Sequence, residues 1–230
     1  MSSPFLLGRL SSFLRFNSPS RRGATGEKFV AWRLRFGLPD EYLILNDVYL
    51  PLPDGTTTQI DHIVVSQYGV FVVETKCYKG WIFGNAESKV WTQSLYAGRR
   101  GWPKRAEKHT FQNPIRQNYR HICALADNLG IDKSYFHGVI VIAFMDDCEF
   151  KTEMPEGVVY SRRVAEYISG FKTPIIKPVQ VPDVASAIEE WQGTLSKKQI
   201  DNHVANLKKR RPKGPDTSAA VLPRQRGEGQ

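Results

Sequence analysis

Two neighbouring apolar stretches, IDHIVV and VFVVETK, each carry charged residues that could do chemistry together. Asp61 lies in the first stretch, and Glu74 and Lys76 end the second. Because side chains alternate along a β-strand, Glu74 and Lys76 share the face that Val70 and Val72 would bury. Carboxylates and an ammonium group on a buried face are costly unless they are paired or needed for a function. The two stretches therefore form the candidate active site.

The turn at residues 66–69 predicts how the two strands pair. In a simple four-residue hairpin Asp61 lies directly opposite Glu74, whereas a bulge at Gly69 would shift this register by one residue. Two facing carboxylates in a buried sheet need a cation between them, and hard oxygen ligands favour Mg²⁺ or Mn²⁺. Lys76 could then position water or stabilise charge on a phosphoryl oxygen. The alternative is structural: a buried Glu74–Lys76 ion pair, with Asp61 in solvent.

A predicted helix supplies a third carboxylate. The pattern TGEKFVAWRLRF, residues 25–36, indicates a helix with Thr25 as its N-cap and Gly37 as its stop. Glu27 falls on the same face as Val30, which is the apolar side of this helix. A carboxylate on the buried side of its own helix indicates that a group inside the fold requires it.

The other patterns predict a mixed α/β domain. GVIVIAFM, residues 138–145, is typical of a strand buried on both faces. Further strands are expected at 42–50, 81–84, 89–95 and 158–160, with a basic loop at 98–110 and helices at 114–129, near 162–169 and at 183–195. The last helix could continue to about residue 209. The helix at 114–129 is capped by Asn113, and its expected apolar stripe is Ile115, Tyr119, Ile122, Ala126 and Leu129.

These motifs, taken in order, resemble a known family. Asp61 followed by Glu74-Thr75-Lys76 is similar to the D…(D/E)xK signature of the restriction-endonuclease-like superfamily. The wider set resembles the nuclease-related domain, NERD: Gly26-Glu27, QIDHI at 59–63, GVFVVETK at 69–76 and Asn113-Pro114-x-x-Gln117. The resemblance covers about residues 24–145 and implies a restriction-endonuclease-like α/β fold. Its central mixed sheet, an antiparallel meander plus a parallel strand, is flanked by helices in the order α-β-β-β-α-β.

The resemblance implies a metal-dependent nuclease that hydrolyses DNA phosphodiester bonds, in DNA processing, repair or defence. The implied catalytic residues are Glu27, Asp61, Glu74, Lys76 and Gln117. Asp61, Glu74 and the backbone carbonyl of Thr75 would bind Mg²⁺ or Mn²⁺, and Lys76 would be the catalytic lysine. For Gln117 a surface position is an equal alternative. RNA stays open as a substrate, and a catalytically silent DNA-binding or membrane-associated adaptor is the alternative function.

The net charge of +9 lies at the two ends of the chain. Residues 1–22 carry +4 and residues 197–230 carry +6, whereas residues 23–196 carry −1. We therefore expect a basic, apolar N-terminal extension, a nuclease-related domain with a C-terminal helical extension, and a basic, largely disordered tail. The basic ends could bind polyanions or associate weakly with anionic membranes.

Within the near-neutral middle, residues 89–121 form a strongly basic stretch with interleaved aromatic residues. Basic groups neutralise phosphates and aromatic rings stack on unpaired bases, so this strip is expected to face DNA. The predicted nucleic-acid-binding residues are Arg99, Arg100, Lys104, Arg105, Lys108, Arg116 and Arg120. Two of the aromatic residues, Trp91 and Tyr119, are expected in the core instead.

Cysteine spacing and hydropathy exclude several other classes. Cys77, Cys123 and Cys148 stand far apart without a CxxC pair, which excludes a zinc ribbon and a disulfide framework. No bound zinc is expected, and a reducing cytoplasm is favoured. No stretch approaches about 18 consecutive apolar residues, so no membrane span is expected. His62 is predicted to be structural, whereas His109 and His121 are weak candidates for proton transfer.

Overall fold

A five-stranded mixed sheet and a four-stranded sheet organise the chain, described here for residues 19–97, 105–144 and 148–210 by a computed structural model. The strands are Leu43–Pro51 (β1), Thr57–Ser66 (β2), Gly69–Lys76 (β3), Gly80–Phe83 (β4), Val90–Ala97 (β5), Arg105–Gln112 (β6), Phe136–Ile142 (β7), Cys148–Phe150 (β8) and Val158–Tyr160 (β9). The α-helices are Pro19–Gly37 (α1), Pro114–Leu129 (α2), Val164–Ser169 (α3), Val181–Gly193 (α4) and Lys197–Arg210 (α5).

The five-stranded sheet has the strand order β1-β2-β3-β7-β9. β1, β2 and β3 form an antiparallel meander, and β7 pairs in parallel with β3. The predicted restriction-endonuclease-like architecture, with an antiparallel meander plus a parallel strand between helices, is therefore confirmed. β3 and β7 contain continuous apolar runs, as expected for strands that helices cover on both faces.

Each face of this sheet has its own core. On one face, Val30 and Leu34 of α1 and Ile168 of α3 pack with Phe71 and Val73 of β3. The opposite core is formed by α2 and α4 on alternate residues of the same strands, and it includes Val70, Val72, Leu125, Ala185 and Ile188. The end of β3 therefore lies between α1 and α2, which positions side chains from both helices around it.

The second sheet has the order β6-β5-β4-β8 and shares a core with β7. Trp91 of β5 is fully buried in this core, as predicted, beside Ile140 and Ile142 of β7. The basic loop was expected at 98–110, but its residues 105–110 belong to β6. The expectation was wrong because β6 pairs with β5 from Val90 to Ala97 through its backbone, which charged side chains do not prevent.

Two helices differ from their predicted form: α1 in the residue at which it begins, and α2 in which of its residues face the core. α1 begins at Pro19 instead of Thr25, since proline is well suited to a first helical turn. α2 begins after Asn113, whose side chain accepts the Ile115 N–H, as predicted. Its buried face, however, includes Asn118, and Tyr119 is 56% exposed, so the expectation that Tyr119 belongs to the core is wrong.

The C-terminal part of the described chain is helical. α4 ends at Gly193 and α5 occupies residues 197–210, where the disordered tail was expected to start, although a continuing helix was the other option. His203 Nδ1 lies 2.8 Å from the carbonyl oxygen of Thr57, which attaches α5 to β2. Residues 1–18 and 211–230 lie outside the described part. Within the described part, no helix combines the length and apolar character needed to cross a bilayer.

Candidate active site

The pairing of β2 and β3 follows the predicted register. Ser66 pairs with Gly69 and His62 pairs with Val73, without a bulge, so Asp61 and Glu74 are the next residues on the two strands. The backbone pairing of β2 with β3 ends at His62. Beyond it, the Asp61 side chain connects the two strands, because its Oδ2 accepts a hydrogen bond of 2.7 Å from the Thr75 N–H. Asp61 is therefore fixed against the segment that carries Glu74 and Lys76.

Glu74 is 4% exposed and holds one side of a three-residue network. Its Oε1 accepts hydrogen bonds from Lys76 Nζ at 2.5 Å and from Gln117 Nε2 at 2.8 Å. Lys76 Nζ also donates to Gln117 Oε1 at 3.0 Å. Gln117 was equally expected on the surface, but α2 places it inside this network. The ion pair of the structural alternative is thus present, while Asp61 is bonded to the backbone instead of lying free in solvent.

Among the described residues, none donates a hydrogen bond to the second oxygen of Glu74, Oε2, although this oxygen is buried. His121 Nδ1 lies 3.4 Å from this Oε2 and also lacks a hydrogen bond. Burial lowers the pKa of His121 despite the nearby carboxylate, so the neutral ring is favoured. Sequence analysis gave His121 little weight because hydrophobic periodicity does not predict a buried polar residue on α2.

Burial and neighbouring carboxylates disfavour the charged forms of Asp61 and Glu27. Burial raises the pKa of Asp61 well above its usual value, and the neighbouring Glu74 raises it further. Burial also raises the pKa of Glu27, with further contributions from Asp47 and Glu74, while Lys76 lowers it. Glu27 therefore lies within electrostatic range of the Asp61–Glu74 pair. This agrees with the prediction that Glu27 is on the inner face of α1.

The approach of α1 depends on Gly26. A Cβ at this position would overlap Sγ of Cys77, the residue after β3, and would press against Ala143. Only glycine lets the helix come this close to the strand ends. Glu27, the next residue, is thereby held at the depth where its charge reaches the site.

Asp47 is an acidic residue that the sequence analysis did not select. It lies opposite Asp61, between the pairs Asn46–His62 and Val48–Ile60, yet it takes no part in the backbone ladder. Its φ of 54° is in the left-handed region, which is unfavourable for a non-glycine residue and is tolerated best by aspartate and asparagine. Gln59 Nε2 donates to Asp47 Oδ1 at 3.2 Å.

At Asp47, the left-handed residue, the alternation of β1 side chains between the two faces of the sheet is interrupted. In a regular strand, Leu45 and Val48 would point to opposite faces, but both contribute to the same core. β2 shows the matching reversal, since Ile60 and Ile63 share that core as well. Asp61 thus sits where both strands change phase, and this geometry cannot be read from alternation in the sequence.

Comparison with known proteins places this site in a family. The profile of the nuclease-related domain matches residues 22–143, which include every residue of the network and α1 from Arg22 onward. The chain belongs to the nuclease-related domain family. An uncharacterized protein of Bacillus anthracis is 42% identical over 116 residues, which are 50% of this chain and 50% of that protein. The chain spans about half the length of this curated relative.

The nuclease-related domain suggests a divalent metal, and the donor atoms at the strand ends fit one. No group of three or more His, Cys, Asp or Glu side chains in the described ranges has the arrangement of a metal site. Mg²⁺, however, often uses only one or two carboxylates and keeps water and substrate oxygens for the rest. Oε2 of Glu74, which accepts no hydrogen bond from the described residues, and the buried carboxylate of Asp61 fit a hard cation. With the Thr75 carbonyl, these oxygens form a hard-ligand set.

The predicted DNA-binding residues are only partly placed. Arg99, Arg100 and Lys104 lie outside the described residues, and Arg105 begins β6 with a side chain that is not described. Lys108, Arg116 and Arg120 are exposed. Arg116 and Arg120 line a cavity of about 520 Å³ together with Tyr119 and Gln112. Their role in binding stays a prediction.

Proposed function

We propose that this nuclease-related domain is a metal-dependent nuclease that hydrolyses DNA phosphodiester bonds. The observation that carries the proposal is that the two oxygens of Glu74 differ. Lys76 and Gln117 donate hydrogen bonds to Oε1, whereas no described residue donates one to the buried Oε2, which has His121 Nδ1 3.4 Å away. A purely structural ion pair would be expected to satisfy both oxygens, because an unpaired buried carboxylate oxygen is destabilising.

The residues around Glu74 have separate tasks in this proposal. Asp61, Glu74 and the Thr75 carbonyl would hold Mg²⁺ or Mn²⁺, which supplies Lewis-acid stabilisation of phosphate charge. The Thr75 N–H keeps Asp61 in place, and Gln117 orients Glu74 and Lys76 at the same time. The Lys76 ammonium, 20% exposed at the mouth of the network, stabilises negative charge that develops on the phosphate.

The surface around α2 supports DNA as the substrate. Gln117 points from α2 into the network, while Arg116 and Arg120 of the same helix lie on its exposed side. Arg116 donates a hydrogen bond of 2.8 Å to the Glu87 carbonyl, so its guanidinium is held in place at the rim of the cavity. Cations on this helix would bind phosphates beside the scissile one and supply the salt-dependent part of the affinity.

The test is cleavage of end-labelled single-stranded, duplex and branched DNA, and of RNA, by the purified full chain with Mg²⁺ or Mn²⁺. Cleavage should require the metal and should stop with EDTA. Asp61→Asn keeps an oxygen that can accept the Thr75 N–H but removes the charge, and Lys76→Ala removes the ammonium. Each variant should lower the rate by about 10²-fold or more.

The matched control is Lys79→Ala, because Lys79 is an exposed lysine three residues after Lys76. It should cleave like the wild type, and thermal unfolding of all variants shows whether they are folded. Cleavage by folded Lys76→Ala at the wild-type rate contradicts the proposal. Salt-sensitive DNA binding without cleavage under any of these conditions contradicts it too, and favours the silent adaptor.

A further inference from the structure

The outer face of α1 carries a row of aromatic rings that the described residues leave exposed or half-buried. Trp32 is 51% exposed and Phe36 is 75% exposed, and the two rings lie 5.5 Å apart. Phe29 continues the row, 6.2 Å from Trp32 with nearly parallel planes, and Phe144 follows 6.1 Å beyond Phe29. A single exposed aromatic residue is ordinary, but a contiguous row of rings marks a contact surface.

Guanidinium groups lie on this row. Arg33 lies 5.1 Å from the centre of the Phe29 ring and 5.4 Å from that of Trp32. Arg22 lies 4.6 Å from the Phe144 ring. Cations held against the faces of aromatic rings are already oriented at the surface, which reduces the entropy that they lose when an anionic partner binds.

The row begins beside the candidate active site. Arg22 Nε donates a hydrogen bond of 3.4 Å to the carbonyl of Cys77, the residue that follows Lys76. Phe144 follows β7, whose Ile142 pairs with Lys76, and α1 packs against these strand ends through Gly26. From there the rings follow α1 away from the strand ends for about 10 Å, at 1.5 Å of rise per residue between Phe29 and Phe36.

We propose that this face of α1 binds single-stranded nucleic acid and leads it to the strand ends that carry Lys76. Unpaired bases stack on exposed rings, whereas the bases of a duplex are already stacked on one another. The charge of the face is complementary, because Arg22 and Arg33, which lie against its rings, are basic. The proposal gives the proposed nuclease a substrate class, single strands or frayed ends, but binding can be tested without cleavage.

The composition of the face favours this partner over a lipid bilayer. The large apolar residues that α1 exposes are Trp32 and Phe36, both aromatic, and its aliphatic residues Val30 and Leu34 are buried in the core. Helices that bind membranes through an apolar face usually present aliphatic residues such as leucine together with aromatic ones. A row of rings with interleaved arginines is instead the arrangement found in single-strand-binding sites.

The experiment measures fluorescence anisotropy of a labelled oligothymidine and of a labelled duplex of equal length, with the full chain in EDTA. The double variant Trp32→Ala/Phe36→Ala should weaken binding of the single strand by roughly 10-fold or more, since each stacked base contributes on the order of five-fold or more. Duplex binding should change less than two-fold. Both residues are exposed, so thermal unfolding should stay at the wild-type temperature.

Trp191→Ala is the matched control, because Trp191 is a tryptophan exposed to 37% on α4, away from this row. It should bind the single strand like the wild type. Equal loss of duplex and single-strand affinity in the double variant, or no loss of either, overturns the proposal. A second assay measures whether the protein sediments with anionic phospholipid vesicles. If the double variant no longer sediments with them but binds oligothymidine like the wild type, the proposal is overturned in favour of a membrane surface. None of these measurements depends on cleavage. The binding result therefore stands even if the protein proves not to be a nuclease.

Discussion

The two sheets differ in where they place charge. The five-stranded sheet is covered by helices on both faces, and it holds Glu74 almost completely buried, with one oxygen that accepts no hydrogen bond from the described residues. The four-stranded sheet buries Trp91 with apolar neighbours, and it leaves Lys108 and His109 of β6 exposed to solvent. In the first sheet charge is costly and is suited to chemistry, whereas in the second it is solvated and suited to contact with a partner.

The comparison first predicts that stability in the four-stranded sheet depends on shape and little on charge. Trp91 stacks edge-on against Phe111 and Phe150, and its Nε1 donates to the Asn85 carbonyl. Trp91→Ala should lower the free energy of unfolding by about 3–5 kcal/mol, because it removes a large buried side chain and leaves a cavity. Urea unfolding measures this change. Val90→Ala, on the exposed side of the same strand, is the control and should cost less than about 1 kcal/mol.

The second prediction concerns His62, which is buried in the five-stranded sheet. Burial lowers the pKa of His62 to about 4 from 6.5, and its Nδ1 lies 2.8 Å from Asn46 Oδ1. Below pH 6.5 the unfolded chain binds a proton that the folded chain refuses until about pH 4, so stability falls as the pH is lowered through this window. The total contribution is roughly 3 kcal/mol. In His62→Gln, urea titrations between pH 7 and pH 4 should lose this dependence; an unchanged slope would contradict the assignment.

Asp61 should act in the opposite direction. Its folded pKa is raised by burial and by Glu74, so the folded chain binds a proton more readily than the unfolded chain above the usual pKa of 3.8. Its contribution therefore stabilises the metal-free protein as the pH falls into this window, and it disappears at higher pH. In EDTA, Asp61→Asn should be more stable than the wild type at pH 8, and the difference should shrink on acidification. Thermal unfolding across this pH range checks the sign.

The smallest expected effect belongs to the exposed charges of β6. Lys108→Ala should change the free energy of unfolding by less than about 0.5 kcal/mol, since the side chain is solvated. If β6 contacts DNA, the same change should lower the slope of log affinity against log salt concentration by about one. Anisotropy titrations at several salt concentrations test this expectation. Lys172→Ala, an exposed lysine far from β6 in the chain, should leave the slope unchanged.

What the sequence predicts well is set by apolar pattern and turn geometry. The register of β2 and β3 follows from the short turn at Gly69, and the inner position of Glu27 follows from the helical period of α1. The parallel pairing of β7 with β3, inside the sheet, agrees with the continuous apolar run of β7. These features need no knowledge of individual side-chain contacts, so a single sequence carries them.

The features that escaped prediction depend on polar groups satisfied by distant partners. Asn118 is buried and its Nδ2 donates to the Val72 carbonyl at 2.8 Å, whereas Tyr119, the next residue of α2, faces outward. β6 has a charged sequence but obtains its order from backbone pairing with β5. The left-handed Asp47 breaks the alternation on which the strand prediction rests. Each depends on a tertiary contact that local propensity does not encode.

Gly26 offers a way to sort relatives of this chain. Domains that have lost activity are usually recognised by missing acids or a missing lysine, but here the space occupied by Cys77 and Ala143 also matters. A relative with a bulky residue at this position could keep all the charged residues and still hold the helix too far out for its glutamate to reach them. In comparing such sequences, the residue with no side chain is therefore as informative as those that carry charge.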